Sequence, residues 1–167
     1  MNTSEDGPYY GYVSDYQRTK KKAEDFVLKA NDGEMATTVI RPGNVYGPGD
    51  TTTSYPIFNA IQRGMMGYIG TGDTLTCPIY INDLIKVIES AMVMPEARGR
   101  VFNITGGERV TWRELLEYVA GLLGEKPPSI HIAPKTAKAG AKLLGGLYGG
   151  LGVEASPPIT MYRIQQM

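Results

Sequence analysis

The sequence predicts an α/β protein with a largely parallel sheet. Apolar stretches with strand character alternate with stretches of helical periodicity, and clusters of Gly, Pro, Asn and Asp separate them. Strands that alternate with helices in this way usually pair in parallel, because each helix returns the chain to the same end of the sheet. With 167 residues and 42% hydrophobic content, the chain has the composition of one folded domain or a piece of a larger one.

The first part of the chain predicts two helices separated by a strand and a loop. Residues 14–30 have helical periodicity, and the β-branched run ATTVIRP at 36–42 predicts a strand that its proline ends. The turn-rich sequence GNVYGPGDTTTS at 43–54 predicts a surface loop. A short helix is then expected over residues 55–63, closed by Gly64.

The middle of the chain predicts short strands around one helix. The stretches MGYIG, TCPIYI and GRVFNI are apolar and short enough to be strands. Between the last two, Asn82 or Asp83 is expected to cap a helix that runs to about Met94.

The clearest helix start is the capping box of Thr111 and Glu114, in which each side chain satisfies an exposed backbone amide. Apolar residues follow at helical spacing until Gly124. Farther on, SIHIAP predicts a strand that contains His131, and residues 135–147 predict a last helix.

Composition excludes several classes of protein. The 17 basic and 17 acidic residues balance, so the chain lacks the positive patch of a nucleic-acid-binding protein. One cysteine excludes a disulfide framework, and no cluster of metal ligands accompanies the single histidine. The longest apolar tract is too short to span a bilayer, and no signal segment is recognisable. We therefore expect a cytoplasmic protein without a metal site.

The first helix raises a question about its lysines. On a helical wheel, five residues share one stripe: Tyr16, Lys20, Ala23, Val27 and Ala30. Three charged residues lie opposite them: Lys21, Asp25 and Lys29. The wheel predicts that Lys20 faces the protein. Either its ammonium reaches water along the stripe, or Tyr16 and Lys20 present a phenol and a cation to the same space.

A Tyr-x-x-x-Lys pair has a chemical use, because a nearby cation favours the phenolate and so suits a tyrosine to accept a proton from an alcohol. The pair alone occurs by chance, but further motifs follow it in order: RPGNVYGPGD at 41–50, YIND at 80–83, NITGG at 103–107 and TWREL at 111–115. In this order they resemble the extended short-chain dehydrogenase/reductase family of nicotinamide-dependent epimerases, dehydratases and hydroxysteroid dehydrogenases.

The resemblance implies a partial Rossmann-like parallel sheet, the C-terminal half of one, plus a smaller α/β substrate-binding domain. Residues 1–50 would be the end of the nucleotide-binding domain. Residues 51–167 would be mostly substrate-binding, with 82–104 returning to the nucleotide-binding sheet.

The resemblance also implies site residues. Tyr16 would be the catalytic acid/base, and Lys20 would hold the nicotinamide ribose and favour the ionised tyrosine. The backbone at Pro42, Gly43 and Val45 would line the nicotinamide of NAD or NADP, and Asn44 would lie near the substrate. Because Pro42 ends the strand, we expect the amides after it to be available to a ligand.

Three departures from the family pattern shape the expected function. No glycine-rich turn precedes Tyr16, and the upstream catalytic hydroxyl has only Ser4 and Thr3 as weak candidates. The stretch TLTCPIYIND at 74–83 has no arginine just before YIND to bind a diphosphate, which counts against a sugar-nucleotide substrate. The missing turn leads us to expect a fragment that is inactive alone. The resemblance as a whole implies that its parent is a sugar-nucleotide epimerase or dehydratase acting on a small alcohol or nucleotide-sugar, with a homodimer possible.

Two alternatives remain open. One is a 3-beta-hydroxysteroid dehydrogenase-like enzyme, suggested by PPSIHIAP at 127–134 and PPIT at 157–160. A membrane-associated version would use the apolar segment near Leu143, although its neighbourhood offers few lysines for a basic face. The other is a relative that binds the cofactor without catalysis.

Overall fold

The computed structural model describes residues 4–7, 11 and 14–150, with only the backbone at 145 and 147–150. Thr3 and the PPIT segment lie outside the described residues. The chain divides into two compact units. Unit 1 contains Met1–Pro48 and Cys77–Glu108, and unit 2 contains Gly49–Thr76 and Arg109–Met167.

Five α-helices and eight strands follow one another in the described part. In chain order they are α1 (Asp15–Lys29), β1 (Val39–Pro42), β2 (Asn44–Tyr46), α2 (Ser54–Gln62), β3 (Gly67–Ile69), β4 (Leu75–Thr76), β5 (Pro78–Tyr80), α3 (Ile81–Val93), β6 (Val101–Ile104), β7 (Val110–Thr111), α4 (Trp112–Leu123), β8 (Ile130–Ile132) and α5 (Pro134–Gly150). The alternation of strands and helices confirms the predicted α/β class.

Unit 1 contains two parallel strand pairs. β1 pairs with β6, with Val39 opposite Val101 at one end and Pro42 opposite Ile104 at the other. β2 pairs with β5. Helix α1 packs against β1, and α3 packs against β2 and β5.

The predicted loop at 43–54 is wrong in its first part, because Asn44–Tyr46 is a strand. Its short sequence NVY contains a β-branched residue and an aromatic one, which suit a paired strand. The Tyr46 ring packs on the Tyr80 ring of β5 at 5.5 Å between centroids. Glycine and proline on both sides hid this strand from the sequence pattern.

The predicted cap of α3 is also wrong. The helix begins at Ile81 with Tyr80 as N-cap, and no side-chain hydrogen bond caps it. Asn82 and Asp83 lie in its first turn, because β5 runs directly into the helix and leaves no residue between them.

Unit 2 has a continuous apolar core between two helices and a strand. Its buried members are Ile61, Tyr68, Leu116, Val119 and Ala120. β3 pairs in parallel with β8, and β4 pairs antiparallel with β7. The fold of this unit therefore depends on apolar packing.

Helix α4 has the predicted ends. Thr111 accepts the Glu114 amide, and the Glu114 carboxylate accepts the Thr111 amide at 2.8 Å, so the capping box is complete. Gly124 ends the helix with a left-handed backbone at φ +69°. Both helix signals are confirmed.

His131 and α5 lie in unit 2 as well. His131 is in β8, with Nδ1 2.8 Å from the Gly70 carbonyl oxygen and its ring 5.0 Å from the Tyr68 ring. In α5, Ala141 is buried whereas Leu143 is 67% exposed. Across the described residues, no helix combines the length and the apolar character that a bilayer crossing needs.

Candidate functional site

Helix α1 presents Tyr16 and Lys20 together. It begins at the Ser14 cap, whose hydroxyl accepts the Gln17 amide at 3.3 Å. The Lys20 ammonium lies 5.6 Å from the centre of the Tyr16 ring, one turn away. Both side chains are exposed, Tyr16 by 57%. The structure therefore brings the predicted phenol and cation into contact at the surface of unit 1.

The predicted orientation of Lys20 is wrong, because the inner face of α1 is a different one. Four residues of α1 are half-buried: Gln17, Lys21, Glu24 and Leu28. Lys21, which the wheel placed opposite, has a side chain only 19% exposed. The apolar stripe identified the wrong face because α1 is held to the strand by charged groups.

These charged groups form an ion-pair cluster of Lys21, Glu24 and Arg41. Arg41 Nε and Nη2 each lie 2.7 Å from an oxygen of Glu24, so the guanidinium binds the carboxylate with two parallel hydrogen bonds. Lys21 Nζ adds a third bond at 2.9 Å. The cluster joins α1 to β1 immediately before Pro42.

The electrostatics of Glu24 follow from these contacts. The hydrogen bonds from Arg41, followed by those from Lys21, hold the pKa of the Glu24 carboxyl at about 2, against an ordinary value of 4.5, although its burial opposes the change. The Glu24 side chain is only 9% exposed. The carboxylate is therefore ionised across the physiological pH range.

A second carboxylate lies at the same end of the sheet. The Glu5 carboxylate accepts the Asn103 amide of β6 at 2.9 Å, and the Glu5 carbonyl oxygen accepts Arg41 Nη1 at 3.1 Å. The Asn103 hydrogen bond lowers the pKa of Glu5. Ser4, the weak candidate for a catalytic hydroxyl, lies in the adjoining turn, where its hydroxyl accepts the Asp6 amide at 3.2 Å.

The backbone after Pro42 differs from the expectation. The Gly43 amide donates to the Ile104 carbonyl at 2.9 Å, and the Asn44 amide donates to the Cys77 carbonyl at 2.7 Å. The amides at 43 and 44 are therefore used by the sheet, and the expectation that they serve a ligand is wrong. The cause is that the chain changes partner here, from β6 to β5, without leaving the sheet.

Gly43 is required at this change of partner. A Cβ atom at Gly43 would collide with the Cys77 carbonyl oxygen, which is backbone and cannot move aside without disturbing β5. The neighbouring Asn44 and Val45 are half-buried members of β2. Glycine thus allows the close approach of two backbones at the position predicted to line a nicotinamide.

Two arrangements of polar residues near the site were not predicted from the sequence. Glu24 follows Lys20 by one turn, and a charged Arg41 within an apolar strand signals a carboxylate partner.

Asp50, at the end of the VYGPGD motif, organises the start of α2 in unit 2. Its carboxylate accepts the Thr53 and Ser54 amides at 3.0 and 2.8 Å. These and further hydrogen bonds from Ser54 and Thr52 lower its pKa, although burial opposes them.

Parallel strand pairs flanked by helices, with Tyr16 and Lys20 one turn apart before them, define an α/β protein of the extended short-chain dehydrogenase/reductase class. Within that class, the chain belongs to the 3-beta hydroxysteroid dehydrogenase/isomerase family, whose model matches residues 1–129. The predicted family resemblance is confirmed, and the family is enzymatic, since its members are named as dehydrogenases and reductases.

Two sequence relatives illustrate the match. The chain is 28% identical over 160 residues to 2-alkyl-3-oxoalkanoate reductase of Stenotrophomonas maltophilia, covering 93% of this chain and 48% of the relative. It is 30% identical over 134 residues to 3 beta-hydroxysteroid dehydrogenase/Delta 5-->4-isomerase of Mycobacterium tuberculosis, covering 75% and 36%. The chain thus spans less than half the length of these relatives.

Solved structures support the same fold. MoeE5 in complex with UDP-glucuronic acid and NAD is 26% identical, with a TM-score of 0.63 over 78% of this chain and 45% of that one. Epimerase Mth375 from Methanothermobacter thermautotrophicus has a TM-score of 0.69 at 19% identity, over 80% and 42%. The second likeness concerns the fold alone.

Proposed function

We propose that the protein expressed from the complete reading frame of this chain is a nicotinamide-dependent alcohol oxidoreductase in which Tyr16 and Lys20 move the proton. The contact between the Lys20 ammonium and the Tyr16 ring carries this proposal. Tyr16, in its phenolate form, accepts the hydroxyl proton of the substrate at its side-chain oxygen and becomes the neutral phenol. Lys20 favours the phenolate that accepts the proton, because a cation beside a phenol favours its ionised form.

The residues of α1 fit a nicotinamide cofactor, NAD or NADP, better than the backbone after Pro42 does. An exposed ammonium has three hydrogen-bond donors, and Lys20 would hold the ribose hydroxyls with them. The cofactor would supply hydride acceptance from the substrate carbon. Pro42, Gly43 and Val45 would contact the nicotinamide through van der Waals surface rather than through amides, because the sheet uses the amides of Gly43 and Asn44.

The two compact units are proposed to have different binding functions. In this proposal, unit 1 contributes the end of the nucleotide-binding domain, because it contains Tyr16, Lys20 and the parallel pairs. Unit 2 contributes the substrate-binding portion. Asn44, a half-buried residue of unit 1, is proposed to contact the substrate.

Two substrate classes compete. The match of residues 1–129 to the 3-beta hydroxysteroid dehydrogenase/isomerase family favours a secondary alcohol on an apolar, steroid-like ring. The similarity to MoeE5, whose structure contains UDP-glucuronic acid and NAD, supports a nucleotide-sugar as the second candidate. We place the apolar alcohol first because no arginine lies in the stretch directly before Tyr80, residues 74–79, to bind a diphosphate.

The decisive experiment measures hydride transfer by the protein from the complete reading frame. Dehydroepiandrosterone and UDP-glucose are each offered with NAD⁺ or NADP⁺, and reduced nicotinamide is followed by absorbance. We expect Tyr16→Phe and Lys20→Met to lower kcat by about 10²- to 10⁴-fold, the range of general acid–base catalysis. Lys22→Met is the matched control, since Lys22 is an exposed lysine of the same run.

The outcomes separate the candidates. Formation of reduced nicotinamide with dehydroepiandrosterone alone supports the first class. Conversion of UDP-glucose alone, followed by chromatography because an epimerase returns the hydride to its substrate, supports the second. Full activity of Tyr16→Phe would refute the proposed mechanism. Binding of the dinucleotide without turnover of any alcohol would instead support a non-catalytic cofactor-binding relative.

A further inference from the structure

The ion-pair cluster of Lys21, Glu24 and Arg41 has a role that the proposed function does not include. We infer that the Glu24–Arg41 ion pair is a positioning device, which fixes the turn of α1 that carries Lys20 relative to the end of β1. This inference rests on the proposed function of Tyr16. It assigns Glu24 and Arg41 no contact with substrate or cofactor.

The first argument is the order of residues along the helix. Tyr16, Lys20 and Glu24 lie on three consecutive turns, four residues apart. Arg41 is the residue before Pro42, where the predicted nicotinamide contacts begin. The ion pair therefore connects the catalytic helix, one turn after Lys20, to the candidate cofactor segment, one residue before Pro42.

The second argument is geometry. A bidentate bond between a planar guanidinium and a carboxylate restrains both the distance and the direction of approach. Both Arg41–Glu24 bonds are 2.7 Å long, and the Glu24 side chain is only 9% exposed. Arg41 is itself restrained by the Glu5 carbonyl oxygen at 3.1 Å. A lysine at 41 would keep the charge but lose the second parallel bond.

The third argument is the small amount of apolar surface that α1 buries. No residue of α1 is fully buried, and Phe26 and Val27 are 75% and 37% exposed. Apolar packing therefore contributes little to the position of α1 on β1. A small displacement of the helix would move Tyr16 and Lys20 with it, because a helix moves as a rigid element.

The chain contains a matched control in the next residue. Asp25 pairs with the same Lys21 at 2.6 Å, but its side chain is 49% exposed and lies on the outer side of the helix. Asp25→Asn removes a carboxylate from α1 and leaves the Glu24–Arg41 pair in place. Any general effect of charge removal on α1 appears in this variant as well.

The structural test uses the 167-residue chain labelled with ¹⁵N. Residual dipolar couplings of the α1 and β1 amides give the angle between helix and strand in wild type, Glu24→Gln, Arg41→Lys and Asp25→Asn. We expect the angle to change, or the α1 couplings to average towards zero, in the first two variants only. Arg41→Lys is decisive if Glu24→Gln unfolds α1, because it retains the charge. An unchanged angle in Arg41→Lys would overturn the inference.

The functional test uses the protein from the complete reading frame. We expect Arg41→Lys to lower kcat by about ten- to a hundredfold with little change in KM, the loss typical of a misplaced catalytic group, and Asp25→Asn to match wild type. If Tyr16→Phe is inactive while Arg41→Lys keeps its kcat, the inference fails and the proposed function stands. If Tyr16→Phe is fully active, the proposed function fails, and the dipolar couplings alone decide whether the pair positions the helix.

Discussion

Helices α1 and α4 are both amphipathic in sequence, but different forces hold them. α4 buries Trp112, Leu116, Val119 and Ala120 in the core of unit 2 and begins at a complete capping box. α1 has no fully buried residue and is joined to β1 by the bidentate Glu24–Arg41 pair. One helix is a structural element of a core, and the other presents candidate catalytic groups at a surface.

This difference explains when apolar periodicity in a sequence identifies the buried face of a helix. An apolar stripe marks the inner face of a helix when that face packs on other apolar groups, as in α4. On α1 the inner contact is ionic, so the same pattern identified the stripe of Tyr16 and Lys20, which is exposed. A helix that presents reactive groups to a ligand can have its apolar residues on the outer side of the unit.

The largest expected effect lies in the core of α4. Leu116 is completely buried, so Leu116→Ala should lower the free energy of unfolding of unit 2 by about 2–5 kcal/mol. Leu122→Ala on the same helix removes the same atoms from a 67% exposed side chain and should have little effect. Denaturation followed by fluorescence of Trp112, the single tryptophan, measures both. Equal losses in the two variants would contradict the apolar description of α4.

The next effect concerns pH and should appear in α1. The pKa of Glu24 falls from 4.5 to about 2 on folding. Its contribution to the free energy of unfolding is therefore fully present above about pH 4.5 and is lost as pH falls towards 2. At about 1.4 kcal/mol per pKa unit, the full contribution is about 3 kcal/mol. Amide hydrogen exchange of α1, corrected for intrinsic rates, should follow this loss. Glu24→Gln should remove the dependence, whereas a dependence that persists in this variant would assign it to another group.

A smaller effect compares the two helix caps. Thr111→Ala should lower the stability of α4 by about 1 kcal/mol, because the Thr111 hydroxyl and the Glu114 carboxylate cap the helix reciprocally. Ser14→Ala should cost less, since the Ser14 hydroxyl makes a single 3.3 Å bond to Gln17. Hydrogen exchange of the first turn of each helix measures the two losses. A larger loss at Ser14 than at Thr111 would contradict this ranking of the two caps.

The smallest effect is expected on α3. Lys86 and Asp83 form an exposed pair at 3.0 Å, with side chains 73% and 59% exposed. Asp83→Asn should change stability by no more than about 0.5 kcal/mol, the usual size for an exposed ion pair. Urea denaturation followed by circular dichroism checks it. A clearly larger loss would show that exposure alone does not separate the weak ion pairs from the Glu24–Arg41 pair.

Local signals predicted much of the fold. The capping box at Thr111, the stop at Gly124 and the strand before Pro42 depend on residues near in sequence, and the structure has all three. The strand Asn44–Tyr46 was missed because its pairing with Pro78–Tyr80 is a long-range contact between short segments. Sequence periodicity contains no information about a three-residue strand whose partner lies more than thirty residues away.

The sequence indicated the candidate catalytic residues, but it did not predict the ion pair that holds their helix on the strand. The order of motifs indicated Tyr16 and Lys20, and the structure places them in contact. The pair of Glu24 and Arg41 joins residues 17 positions apart, on elements of different type. Its only sequence signal is a charged residue inside an apolar strand, which becomes informative once a helix is known to cover that strand.

The change of strand partner at Gly43 also has a consequence for charge recognition. Pro42 has no peptide N–H, and the next two N–H groups are bound to the Ile104 and Cys77 carbonyl oxygens. Three successive peptide groups therefore offer no donor to a phosphate or carboxylate. Near this segment, an anionic group of a ligand would depend on side-chain cations, whereas a neutral, apolar surface would meet no penalty for lacking a donor.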